Sequence, residues 1–104
     1  MSEGGKKFDN DKPDLSLIPG HVIVELGKVF TMGKSKYSAD NWRQGIKYRR
    51  VISAAMRHMA AIQDGQDIDT ESGLPHAAHI MANMAFLLEF YKTRPDLDDR
   101  YKVK

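Results

Sequence analysis

The stretch from Leu74 to Thr93 constrains the chain most. Read as a helix, it carries Leu74, Ala77, Met81, Met84, Ala85, Leu88 and Tyr91 on one face and His76, His79, Ile80, Asn83, Leu87 and Phe90 on another. A helix apolar nearly all round is buried on both sides. The chain has 104 residues, enough for one domain but not for a second sizeable core. Two further helices cannot easily cover this one on both sides. The pattern therefore predicts that one face packs within the chain and another against a second subunit, so that oligomerisation completes the fold.

The rest of the chain supplies those two helices. Val22, Leu26, Val29 and Phe30 recur at helical spacing over residues 20–32, with Pro19 at the entry and Gly33 at the exit. Tyr48, Val51, Ile52, Ala55, Met59 and Ile62 form an apolar stripe over about Lys47 to Asp64, and Gly65 suits the position just past its end. Residues 65–75 form an acidic loop in which Thr70 or Ser72 can cap the third helix, with Pro75 in its first turn. No strand-like alternation and no repeat occurs. The expected fold is all-α: a small bundle of three main helices in one domain over residues 1–104. Residues 1–19, broken by Pro13 and Pro19, read as an extended polar arm that Phe8, Leu15, Leu17 and Ile18 could tack onto the body. Residues 96–104 read as a charged, flexible tail.

Composition narrows the function. With 16 basic and 14 acidic side chains the net charge is +2, which argues against a nucleic-acid partner bound by bulk charge. No cysteine is present, so thiolate metal sites and cysteine nucleophiles are excluded. That absence fits the cytoplasm. No apolar run approaches the roughly 20 residues of a membrane span, and the N-terminus does not read as a signal peptide. Placed along the chain, the positive residues gather in segment 34–57 and the acids in 64–71.

His76-x-x-His79-x-x-x-Asn83 places three polar side chains on one helical stripe that turns apolar at Leu87 and Phe90. Such a half-polar stripe suits the floor of a pocket. The spacing lacks the intervening glutamate of zinc peptidases, and there is no thiolate to complete a zinc site. Carboxylates three or four apart on one helix face are also absent, so no preformed Mg²⁺ cluster is evident. Lys34, Lys36, Arg43, Arg50 and Arg57 could instead hold a di- or triphosphate. Tyr37, Trp42 and Tyr48 could stack on a base, and Asn41 and Asn83 could read base edges or ribose hydroxyls. For each residue alone, a solvated charge or a core aromatic is the competing reading. Together they suggest a phosphorylated nucleotide.

The same residues carry a resemblance. Lys12-Pro13, Leu17-Ile18-Pro19, Gly33-x-x-Lys36-Tyr37, Asn41-Trp42-Arg43, Arg57-His58 and Ser72-Gly73-x-x-His76-x-x-His79-x-x-x-Asn83 occur in that order. The chain resembles the phage dATP/dGTP diphosphohydrolase N-terminal-domain family, which is grouped with the all-α MazG-like nucleotide pyrophosphohydrolases. The resemblance implies a phage origin, an α-helical homo-oligomer in the cytoplasm of an infected bacterium, and a purine nucleotide or nucleotide-derived ligand. MazG-like enzymes bind Mg²⁺ through Glu-x-x-Glu and Glu-x-x-Asp, and neither pattern occurs here.

Two functions follow as expectations. The first is an enzyme that cleaves a nucleoside triphosphate to monophosphate and pyrophosphate with Mg²⁺ or Mn²⁺. Glu25, Asp67 and Glu71 are its catalytic candidates, and Asp67, Asp69 and Glu71 its metal ligands. The second is an inactive sponge that sequesters a nucleotide immune signal. In both, Arg43, Arg50 and Arg57 clamp phosphates with Lys34 and Lys36, and Tyr37 and Trp42 stack on the base. Asn41 reads a base edge, and His58, His76, His79 and Asn83 line the ribose–phosphate region.

Overall fold

The computed structural model describes residues 11–103. It contains three α-helices: α1 (Gly20–Lys36), α2 (Tyr48–Gln63) and α3 (His76–Thr93). Short 3₁₀ turns lie at Leu15–Leu17, Asn41–Gln44 and Pro95–Leu97. There is no strand among the described residues; the single bridge joins Ile68 to Pro75 across the acidic loop. The all-α expectation holds.

Helix α3 is the centre of the fold, with α2 and α1 packed on it. Tyr48 opens α2 and meets Phe90 near the end of α3, whereas His58 late in α2 meets His76 at the start of α3, so the two run antiparallel. Tyr48, Val51, Leu87 and Phe90 form one buried cluster, and Val29, Ala78 and Ala82 form a second. Phe86 packs against both. The covered face of α3 is the one with His76, His79, Leu87 and Phe90. On the other face Leu88 is 69% exposed and Tyr91 48%. One chain thus leaves an exposed strip along α3 through Met84, Leu88 and Tyr91, while Leu74 and Met81 pack toward α1.

Three expectations about the elements change. Helix α1 does not stop at Gly33 but runs on to Lys36, where the Tyr37 N–H closes the last turn on the Gly33 carbonyl at 3.0 Å. An interior glycine costs a helix only about 1 kcal/mol, and Lys34 and Lys36 suit the negative end of the helix dipole. The loop that follows is correspondingly shorter. The α2 stripe is buried at Tyr48, Val51 and Ala55 but opens to solvent at Met59, which is 54% exposed. Ser72 does not cap α3: Pro75 holds that position.

In the arm, Phe8 lies outside the described residues, and Leu15 and Leu17 are exposed, so they do not tack it onto the body. The charged stretch after α3, by contrast, makes side-chain contacts as far as Lys102, whose ammonium lies 3.0 Å from Asp98. The Asp99 carboxylate accepts from the Arg49 backbone N–H at 2.9 Å, capping the start of α2 from 50 residues away. Arg100 pairs with Asp98 at 2.9 Å and lies over the rings of Tyr48 and Tyr91. The Tyr48 hydroxyl shares its one proton between the Phe90 and Arg94 carbonyls, at 2.9 and 3.1 Å, tying off the end of α3.

Candidate functional site

A cavity of about 530 Å³ opens where the end of α1, the second half of α2, the acidic loop and the start of α3 meet. That volume falls in the range of small-molecule sites. Met32 and Lys36 reach it from α1, Ala54, Arg57 and His58 from α2, Asp69, Glu71 and Ser72 from the loop, and His76 and His79 from α3. The loop is shaped by backbone bonds from Asp69 N to Leu74 O and from His76 N to Asp67 O, both 2.9 Å. Gly73, at φ 75°, takes the left-handed turn that such a tight return requires. This geometry holds Asp69 and Ser72 against the first turn of α3.

The imidazoles are in mutual contact. His58 Nδ1 and His76 Nδ1 lie 2.8 Å apart, so one carries the proton and the other accepts it. The His58 and His79 rings stack with centroids 4.6 Å apart and planes 3° from parallel. His79 Nε2 lies 2.7 Å from Ser72 Oγ and 3.4 Å from the nearer Asp69 oxygen. Burial holds His58 below the ordinary imidazole range, and the neighbouring His79 and His76 push the same way. Burial also lowers His79, against the partial opposition of Asp69. Asp69 itself is raised by burial, but the Ser72 hydroxyl and the Glu71 N–H bind its charged form and bring it below the usual carboxylate range. At neutral pH the ionised Asp69 and the neutral His58 and His79 rings therefore share the cavity with the side chains of Lys36, Arg57, Glu71 and His76. Arg57 is anchored by a 2.9 Å bond from its guanidinium to Ser53 Oγ on its own helix.

Of the residues singled out in the sequence, the structure brings Lys36, Arg57, His58, Asp69, Glu71, His76 and His79 together. Lys34, Tyr37, Asn41 and Trp42 line a different, largely apolar cleft of about 210 Å³ beside Phe30 and Phe86. Trp42 is no free stacking platform. It packs on Phe86 at 5.0 Å and Phe30 at 5.6 Å, and the Arg43 guanidinium lies 4.6 Å from its ring centre. Arg43 is held by Asp40 at 2.9 Å and Glu89 at 3.1 Å and does not line the cavity. Arg50 is exposed and lines neither space. Asn83 donates to the His79 carbonyl of its own helix at 2.9 Å, so the polar stripe contributes only its two histidines.

The carboxylate candidates do not form a cation site. Glu25 pairs with Lys28 at 2.8 Å on α1, away from the cavity. Asp67 is exposed and contributes only its backbone carbonyl, and Asp69 is engaged by Ser72 and the Glu71 N–H. Among the described residues no three His, Asp or Glu side chains converge as metal ligands. The residues present do not fit the carboxylate-bound Mg²⁺ or Mn²⁺ expected above. Ser72, a cap candidate and part of the resemblance motif but not a candidate site residue in the sequence, lines the cavity; the signal for it is its place three residues after Asp69 and seven before His79.

No helix among the described residues is long and apolar enough to cross a membrane. A protein of Salmonella phage PMBT28 named dATP/dGTP diphosphohydrolase is 40% identical over 96 residues, which is 92% of this chain and 33% of that protein. The chain thus spans about a third of the length of that relative. No solved structure matches. The family described as "dATP/dGTP diphosphohydrolase, N-terminal" matches residues 2–100, so nearly the whole chain is accounted for by one family, and the chain belongs to it.

Proposed function

We propose that the cavity between α1, α2 and α3 holds the phosphates of a purine deoxynucleotide, and that the protein hydrolyses it as a diphosphohydrolase. The observation that carries this reading is the meeting of Lys36, Arg57 and the three imidazoles, from three helices, around one space of ligand size. Arg57 and Lys36 supply the charge. Guanidinium nitrogens bind phosphate oxygens in pairs, and a partly desolvated site strengthens each contact. The phage relative's name supports dATP and dGTP as the first substrates to try.

The test is incubation of the pure protein with dATP, dGTP and their ribonucleotide counterparts, with arms containing Mg²⁺, Mn²⁺ or chelator. Phosphorus NMR of the products should show monophosphate and pyrophosphate. Arg57→Ala should raise KM or Kd by about 10-fold or more, the scale of losing one charge-assisted contact. Absence of product at high enzyme load, together with no measurable binding, would overturn the reading. Tight binding with intact nucleotide recovered on denaturation would favour the second reading, a sponge for a nucleotide signal. That alternative is favoured by the lack of a formed carboxylate cluster among the described residues.

We further propose that the protein acts as a homo-oligomer in the cytoplasm of an infected bacterium. Support for assembly is the outer face of α3, where Met84, Leu88 and Tyr91 stand exposed along one side. Burying such side chains gains roughly 1.5–3 kcal/mol each.

A further inference from the structure

A hydroxyl carries one proton and two lone pairs. Ser72 Oγ has three neighbours: Asp69 Oδ2 at 2.9 Å, His79 Nε2 at 2.7 Å and the Leu74 backbone N–H at 3.2 Å. The Leu74 N–H can only donate, so it takes one lone pair. An ionised Asp69 can only accept, so it takes the hydroxyl proton. What remains for His79 is the second lone pair, and Nε2 must then carry a hydrogen. The opposite arrangement, with the hydroxyl donating to Nε2, would leave an oxygen lone pair facing a carboxylate oxygen at hydrogen-bond distance. A neutral imidazole protonated at Nε2 has its lone pair on Nδ1. His79 Nδ1 has no hydrogen-bond partner among the described residues, and no fully buried side-chain nitrogen or oxygen there lacks one. Nδ1 therefore keeps its lone pair and is not wholly sealed from solvent. The parallel His58 ring covers one face of His79 and holds its plane.

We propose that Ser72 is a positioning residue: it fixes His79 as the Nε2–H tautomer and so makes His79 Nδ1 the proton acceptor for the attacking water. This rests on the reading of the pocket as a site of nucleotide hydrolysis. The water oxygen bonds to phosphorus, and its proton passes to His79 Nδ1. The bond from phosphorus to the bridging oxygen breaks, and the leaving group keeps that electron pair. The imidazolium so formed donates through Ser72 toward Asp69, which balances its charge. Ser72 Oγ is not placed as a nucleophile, because both its lone pairs are taken, by the Leu74 N–H and by His79 Nε2–H.

The experiment is nitrogen-15 NMR of the histidine rings in the full chain, joined to dATP and dGTP hydrolysis kinetics. Wild type should show His79 protonated at Nε2 and bare at Nδ1. Ser72→Ala should shift the ring toward a tautomer mixture and lower kcat about 10-fold or more with KM little changed, and Ser72→Thr should restore both. His79→Asn should lower kcat by about 100-fold or more, the scale of a lost general base. Should Ser72→Ala fail to fold, wild type and Ser72→Thr still report the tautomer. A wild-type His79 protonated at Nδ1, or a Ser72→Ala protein whose tautomer is unchanged, overturns the inference. A wild type with the expected tautomer that hydrolyses neither nucleotide overturns the reading of the pocket and the acceptor role with it, leaving only the tautomer assignment standing.

Discussion

Helices α2 and α3 meet twice, and the two meetings differ in kind. At one end Tyr48, Val51, Leu87 and Phe90 close into an apolar cluster, with Phe90 wholly buried. About three turns away the same pair of helices meets through His58, His76 and His79. The first contact gains free energy from burial and dispersion. The second gains little: a buried polar group costs free energy unless partnered, and here partners offset that cost. The difference teaches that stability and chemistry are divided along one helix pair. The apolar end, reinforced by the C-terminal segment, sets the geometry that the imidazole end uses.

The largest test of that division is Phe90→Ala. It should cost about 3–5 kcal/mol in urea unfolding, the usual range for emptying a buried aromatic site. His79→Asn should cost much less by the same measurement. If the two losses were equal, the division of labour would fail.

Next in size is Gly45→Ala. Gly45 has φ 103° and ψ 153°, backbone that only glycine adopts easily, and an added Cβ would collide with the Leu97 side chain. The substitution should cost about 1–3 kcal/mol. It should act by loosening the 3₁₀ turn at Pro95–Leu97 from the apolar end, while nucleotide affinity at the other end changes little. Smaller again is Asp99→Ala, which removes the cap on the Arg49 N–H. A lost helix cap is worth about 1 kcal/mol, read as a lower unfolding midpoint at unchanged slope.

The apolar end was largely legible in the sequence, because period-3.6 burial at Tyr48, Val51, Leu87 and Phe90 depends on local spacing alone. The histidine pocket was legible in part for the same reason: His76 and His79 lie three apart on one stripe. Long-range pairing was the part that spacing could not supply. Trp42 and Arg43 look like ligand groups in a loop, yet a T-shaped contact with Phe30 and an ion pair with Glu89 place them in the packing. Asp99 capping α2 joins residues 50 apart. Ser72 was hidden because a serine before a helix is more often a cap than a bridge. Gly33 lies inside α1 and not at its end, because one glycine weakens a helix without ending it.

The smallest expected effect concerns pH and separates the two ends by a different route. His58 and His79 are both held below the ordinary imidazole value, about 6.5, first by burial. Between their folded values and about 6.5 the unfolded chain binds more protons than the folded one, so stability falls as pH drops through that window. Above it both states are neutral at these rings and stability is flat. Asp69, lowered by its hydrogen bonds, adds its own loss only in the carboxylate range near pH 4 and below. Melting curves from about pH 8 to about pH 5 should therefore show a decline that His58→Asn makes shallower. Phe90→Leu should lower the whole curve without changing its shape, since no titrating group at the apolar end faces that window. A decline unaltered in His58→Asn would mean that the imidazole end is not the seat of the pH response. The contrast between the two ends would then rest on packing alone.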